Sequence, residues 1–103
     1  MKVMLVFDWD STIEPERMPD SFFKIVDVPS LPHVGTKMLF MGGDDGGFLF
    51  EEPSVVTSVE WVEDHPEWYE VHFQELLEMT VAEASEFMTN AGWSDADWPD
   101  GYQ

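Results

Sequence analysis

The fold is decided by residues 68–91, which have the sequence WYEVHFQELLEMTVAEASEFMTNA. Between residues 68 and 77 apolar and polar side chains alternate, the period of two that is typical of a strand with one buried face. From Thr80 onward apolar residues recur every three or four positions, and Thr80 stands three residues before a glutamate, the spacing of a capping box. We therefore predict a strand over 68–77 and a helix over 80–91. In the strand, three side chains are expected in the core and two in solvent: Tyr69, Val71 and Phe73 against Glu70 and His72.

The rest of the chain consists of short β-prone segments separated by turn residues. They predict strands over 3–9, 22–28, 36–41, 48–52 and 55–63, all within residues 2–77. The glycine-rich loop around Asp45-Gly46 predicts a hairpin, because both residue types tolerate positive φ. We expect a single domain, 1–103, that is mainly β with α: a small curved antiparallel sheet or barrel of five to six strands, a C-terminal helix, and an acidic, aromatic tail over 93–103. Trp61 is expected in the core.

The amino-acid composition determines the net charge and indicates the cellular compartment. The 103 residues include 22 acidic and 4 basic side chains, a formal net charge of −18, and no cysteine. The absence of cysteine excludes disulfides and thiolate metal sites. The longest apolar run near the N-terminus, Val3–Phe7, is five residues, far short of the roughly 20 that a membrane helix needs. These features predict a cytoplasmic protein with no membrane partner.

The acidic residues are uneven along the chain. Residues 38–103 hold sixteen of them and no Lys or Arg, far more than solubility alone requires. Such a surface repels nucleic-acid phosphates, so we expect a basic protein surface or a cation as the partner and no direct contact with nucleic acid. Carboxylates on neighbouring strands and on the following helix are expected to form a lattice around aromatic anchors. The predicted partner-binding residues are Glu60, Glu63, Glu70, Trp68, Glu83, Glu86, Asp95 and Asp97.

In class, the sequence resembles the small acidic inhibitors that phages use against nucleic-acid-binding host enzymes, such as anti-restriction and anti-CRISPR proteins. Residues 28–75, with a Pro-rich start, a short strand and a glycine hairpin, are similar to small barrels of the Src-homology-3 kind. The resemblance implies a non-catalytic DNA mimic in the host cytoplasm, which occupies the basic groove of a defence nuclease or similar protein and blocks DNA or RNA. An acidic adaptor or structural interaction protein that never competes with nucleic acid is the alternative.

One motif suggests an enzyme instead. The sequence DWDST at residues 8–12 follows an apolar run and resembles the first motif of haloacid-dehalogenase-type phosphatases, D-x-D-x-T. The resemblance implies that Asp8 is the nucleophile, that Asp10 is the acid/base, and that Asp44 or Asp45 helps to hold Mg²⁺. That family requires a parallel sheet with crossover helices, and the sequence predicts no helix between this motif and the C-terminal helix. The phosphatase is therefore the lesser alternative.

Neither a metal site nor a cofactor is predicted. The acidic loops at 42–47 and 95–101 lack the carboxylate spacing of a dedicated calcium loop. His33, His65 and His72 share no ligand spacing such as H-x-x-x-H, so each is expected to be a lone surface or turn histidine. The sequence contains no nucleophile elbow, phosphate loop or dinucleotide fingerprint.

Overall fold

The computed structural model describes residues 1–17, 21–43, 46–61, 63 and 69–94. Within these ranges the chain forms five strands and one helix. In chain order they are β1 (Lys2–Ser11), β2 (Phe22–Asp27), β3 (Lys37–Met38), β4 (Ser54–Trp61), β5 (Tyr69–Leu77) and α1 (Val81–Asn90). The strand and the helix predicted at the end of the chain are confirmed, and their described ends fall within one residue of the prediction.

The strands form one curled, half-barrel sheet in the order β2-β1-β5-β4-β3. The predicted class, mainly β with a C-terminal helix, is confirmed. The prediction of an antiparallel sheet is wrong for the central pair, because β1 runs parallel to β5 with Phe7 beside Phe73; the other three pairs are antiparallel. Residues 3–7 of β1 are all buried. Both faces of β1 are therefore covered, which suits a strand in the interior of a sheet.

One face of the sheet packs against α1 and forms the main core. Val71 and Phe73 of β5 are both 0 % exposed, as the alternation predicts. They share this core with Ala84 and Met88 of α1, which are also 0 % exposed. Tyr69, at the beginning of β5, is half-buried rather than buried. The apolar stripe of the helix therefore lies against the apolar face of the last strand.

Trp93 closes the main core after the helix ends. Its ring packs edge-on against Phe7 and Phe40, with centroid distances of 5.7 and 5.3 Å. Lys24 lies over the same ring, with Nζ 5.8 Å from the centroid. Gly92 has a φ of +93°, the left-handed conformation that favours glycine after a helix. This turn directs Trp93 back into the core.

The opposite face of the sheet carries a smaller apolar cluster. Met4 and Val6 of β1 are 2 % and 3 % exposed, and they pack with Phe23 and Ile25 of β2. Because side chains alternate along a strand, residues 70 and 72 of β5 also lie on this face. The sheet therefore separates these residues from α1.

Side chains hold the N-terminus of α1 from two directions. Glu83 N donates a hydrogen bond to Thr80 Oγ1, and Thr80 N donates one to Glu83 Oε1, which completes the predicted capping box. Glu14, in the loop after β1, accepts a hydrogen bond of 2.8 Å from Val81 N. This bond lowers the pKa of the Glu14 carboxyl below its ordinary value. The helix is thereby tied to the loop that follows the first strand.

The strand predicted over 48–52 is wrong. Phe48 makes a single antiparallel bridge to Met41, and the residues after it bend. Leu49 and Phe50 are adjacent, and both pack into the main core. A regular strand would point them to opposite faces, so the chain bends to bury both.

Two further expectations for the middle of the chain differ from the structure. The strand predicted over 36–41 shortens to the two residues of β3. Trp61 is 56 % exposed, because it is the last residue of β4 and pairs with the first residue of β5 at the end of the sheet. The prediction that Trp61 belongs to the core is therefore wrong.

Candidate functional site

Four polar side chains meet on the face of the sheet opposite α1, with His72 of β5 at the centre. Asp8 Oδ2 lies 3.1 Å from His72 Nδ1. Glu60 Oε2 and Glu70 Oε1 lie 2.6 and 3.3 Å from His72 Nε2. The side chains of His72 and Glu70 are only 17 % and 26 % exposed. The prediction that both lie in solvent is therefore wrong, as is the prediction that His72 is a lone surface histidine. We refer to Asp8, Glu60, Glu70 and His72 as the His72 cluster.

Three adjacent strands bring the His72 cluster together. Glu60 of β4 and Glu70 of β5 are directly opposite in the antiparallel pair, just beyond a β-bulge in β4. Thr57, at this bulge, donates from Oγ1 to the backbone oxygen of His72 at 3.1 Å. The parallel pairing of β1 with β5 then adds Asp8 from the other side. The cluster therefore depends on the central parallel pair that sequence analysis did not predict.

The hydrogen bonds assign the protonation of the His72 ring. The Asp8 carboxylate can only accept, and its Oδ1 already accepts a hydrogen bond from Ser21 Oγ. His72 Nδ1 therefore carries the proton that Asp8 Oδ2 accepts. In the neutral ring Nε2 is left with a lone pair. Nε2 is buried and has no hydrogen-bond partner among the described residues, although carboxylate oxygens of Glu60 and Glu70 lie 2.6 and 3.3 Å from it.

A second acidic region lies at the end of the sheet where β5 leads into α1. A groove of about 560 Å³ there has both apolar residues and four glutamates in its lining. An adjoining groove of about 290 Å³ carries two glutamates of α1, and Phe87 borders both grooves. No Lys or Arg among the described residues lines either one. We refer to the six residues as the glutamate rim: Glu51, Glu52, Glu75, Glu78, Glu83 and Glu86.

The structure separates the predicted partner-binding residues into groups. Glu83 and Glu86 belong to the glutamate rim, whereas Glu60 and Glu70 belong to the His72 cluster on the other face of the sheet. The expectation that the helical glutamates extend the carboxylate lattice of the strands is therefore wrong, because α1 packs against the opposite face. Glu63 is exposed beyond the end of β4.

The remaining predicted partner-binding residues, Trp68, Asp95 and Asp97, lie outside the described residues, as does the rest of the tail over 95–103. Their part in binding stays a prediction. The same holds for the acidic loop at 95–101.

The strands and helices around the phosphatase motif differ from the arrangement that the resemblance implies. Among the described strands, β1 runs parallel to β5 and antiparallel to β2, and the described residues between β1 and β5 form no helix. Asp8 is engaged by Ser21 and His72, while Asp10 is exposed. Asp44 and Asp45 lie outside the described residues. The crossover helices that support that active site are thus missing from the part of the chain that the structure describes.

Sequence reasoning placed Glu60 and Glu70 on one carboxylate surface, but it added neither His72 nor Asp8 to them and did not predict the glutamate rim. One further signal was present. A hairpin between the strands predicted over 55–63 and 68–77 would be centred on residues 64–67 and would pair Glu60 with a residue within one position of Glu70. Glu70 and His72 are two residues apart, so they share a face of the strand. Asp8 and Ser21 could not be added, because they come from distant parts of the chain.

Comparison with known proteins found no family model, curated protein or solved structure that matches the chain. The resemblances to phage inhibitors and to Src-homology-3 barrels therefore stay predictions. None of the described residues forms a helix of the length and apolarity that crossing a membrane requires. The functional argument consequently depends on the geometry of the chain itself.

Proposed function

We propose that this protein is a non-catalytic acidic inhibitor that binds a basic nucleic-acid-binding protein and blocks its access to DNA or RNA. The observation that carries the proposal is the glutamate rim, six carboxylates around two adjoining grooves. Concentrated like charge costs stability through self-repulsion. A protein that keeps such a surface gains most if a basic partner neutralises it.

The distribution of positive charge supports this proposal. Arg17 pairs with Glu14 at 3.4 Å, and Lys24 donates to a backbone oxygen at the end of α1 while covering Trp93. These two cations are thus engaged by groups other than the six glutamates of the rim. The net charge of −18 leaves a strong negative field, which steers a basic partner towards the protein.

The chemistry of the larger groove also suits lysine and arginine side chains. Its lining includes Leu76, which is 70 % exposed, and the half-buried Phe50 and Phe87. Lys and Arg have long apolar stems that end in a charge. The stems can cover the apolar lining while the charged ends reach the glutamates. A surface that normally holds phosphates offers these same groups.

The proposal is tested by neutralising matched sets of exposed acids. The partner is captured from host-cell lysate on the immobilised protein at low salt, purified, and titrated with each variant at two salt concentrations. The rim variant combines three substitutions: Glu51→Gln, Glu52→Gln and Glu78→Gln. The control variant combines three exposed acids outside the rim: Asp10→Asn, Glu16→Gln and Asp27→Asn. Both variants change the net charge equally.

We expect the rim variant to bind much more weakly than the control. Each exposed charge contributes about 1 kcal/mol or less, so three together weaken binding by up to roughly 100-fold. Equal loss in both variants would mean that only net charge matters, and unchanged binding by the rim variant would exclude this surface. A partner that binds the protein and nucleic acid together would favour the acidic adaptor instead.

A further inference from the structure

We propose that the His72 cluster binds a divalent first-row transition-metal ion, with Zn²⁺ as the best fit, through His72 Nε2 and the carboxylates of Glu60 and Glu70. This site is separate from the glutamate rim, because it lies on the opposite face of the sheet. It also departs from the sequence analysis, which predicted no metal site.

The ligand atoms are already gathered at the spacing of a metal site. One atom from each of Glu60, Glu70 and His72 lies within 4.8 Å of the other two. Ligands about 2.0–2.2 Å from Zn²⁺ stand roughly 3.0–3.5 Å apart in tetrahedral or octahedral arrangements. The 3.3 Å between His72 Nε2 and Glu70 Oε1 falls in that range. Glu60 Oε2 is closer to His72 Nε2, at 2.6 Å, but its side chain is 61 % exposed, so an outward rotation of this side chain would bring the distance into the range.

The arrangement of acceptor atoms in the cluster favours a cation at this position. The lone pair of His72 Nε2 and the oxygens of Glu60 and Glu70 are all acceptors, and they face one another. Glu60 and Glu70 are directly opposite on neighbouring strands, and like charges in that arrangement destabilise a sheet. A second proton on the ring, at Nε2, is the other arrangement that would reduce this repulsion, and it would leave no ligand atom on the ring for the Zn²⁺ titration described below. A metal ion between the three atoms bonds to all of them.

The surroundings of the histidine match those of a metal ligand. Metal-binding histidines almost always donate their other ring N–H to a carboxylate or carbonyl, which fixes the ring and raises its basicity. Asp8 accepts from His72 Nδ1 in this way. Asp8 is itself held by Ser21 Oγ. The chain from Ser21 through Asp8 to His72 thus orients Nε2 towards the two glutamates.

The donor set selects the kind of ion. One imidazole nitrogen with two carboxylates suits Zn²⁺ and its first-row neighbours, whereas Mg²⁺ and Ca²⁺ prefer oxygen ligands alone. Three protein ligands leave at least one coordination position for water. The exposure of Glu60 places that position on the solvent side of the cluster.

The test is a calorimetric titration of the chelator-treated full chain with Zn²⁺ in the presence of excess Mg²⁺, which occupies weak sites made of carboxylates alone. We expect one strong site per chain. Replacing Zn²⁺ with Co²⁺ should give the visible absorption of a low-coordinate site with a nitrogen ligand.

Variants assign the site to its residues. His72→Asn and Glu60→Gln should each weaken Zn²⁺ binding by about tenfold or more, and Asp8→Asn, a positioning residue, by about 10- to 100-fold. His33→Asn and Glu63→Gln are the matched controls and should bind as the unaltered protein does. Because Glu60 is largely exposed, Glu60→Gln keeps the test valid if His72→Asn fails to fold. Several weak sites that Mg²⁺ abolishes, or a variant of the cluster that binds normally, would overturn the proposal.

Discussion

Removal of the Thr80 hydroxyl should measurably destabilise the protein. In the structure Thr80 Oγ1 accepts from Glu83 N at 3.2 Å, and Thr80→Ala leaves this N–H without its partner. Glu83 and Glu14 still accept from Thr80 N and Val81 N, so the loss is confined to one hydrogen bond. Replacing a capping threonine by alanine costs about 1 kcal/mol. For a chain of this size that corresponds to a fall in Tm of about 4–8 °C.

Thermal unfolding followed by circular dichroism measures this change. The matched control is Thr89→Ala in the last turn of the same helix. Thr89 donates to the backbone oxygens of Ser85 and Glu86, and alanine is the better helix former. We expect the control to match or exceed the Tm of the unaltered protein. If Thr80→Ala and the unaltered protein unfold at the same temperature, the capping box does not stabilise this helix.

Three further predictions concern stability. Glu14→Gln should lower the free energy of unfolding at neutral pH, because the ionised Glu14 carboxyl, whose pKa is lowered in the fold, stabilises the folded state. In urea titrations the difference in free energy between variant and unaltered protein should shrink as the pH falls below the ordinary glutamate pKa of 4.5. A difference that does not change with pH would contradict this. Added NaCl should raise the Tm, because screening weakens repulsion among the acids, and a steady fall would show that they are paired. Met88→Ala should cost about 2–5 kcal/mol in urea unfolding, because this residue is 0 % exposed and leaves a cavity; a cost well below 1 kcal/mol would place the helix elsewhere.

The elements that sequence analysis predicted well are those specified by neighbouring residues. The alternation in β5 assigned Val71 and Phe73 to the core, and the capping box located the beginning of α1. Each of these patterns is formed by residues that are close together in the sequence. A local pattern of this kind predicts the structure correctly when the tertiary contacts favour the same conformation.

The features that sequence analysis missed depend on contacts between distant segments. The parallel pair of β1 and β5 joins residues more than sixty positions apart, and no local pattern specifies such a partner. The unbroken apolar run over residues 3–7 was a usable sign in the sequence of a strand in the interior of a sheet. The bend at Leu49 and Phe50 arises because the core accepts both side chains, an outcome set by tertiary packing.

The same reasoning explains why the candidate sites were divided differently from the prediction. Spacing along the chain placed Glu60, Glu70, Glu83 and Glu86 on one surface. The sheet lies between α1 and the residues Glu60 and Glu70. The sequence does not specify which face of the sheet the helix packs against, so this separation could not be predicted. His72 lacked a ligand spacing in sequence because its neighbours come from three strands.

The most direct test of the proposed function is a displacement measurement with the captured partner. The partner is bound to labelled duplex DNA, and the protein is added while the anisotropy of the label is followed. We predict that the protein releases the DNA, and that the concentration required rises steeply with salt, because both ligands compete for the same positive charges. A stable complex that holds the protein, the partner and the DNA together would contradict the account.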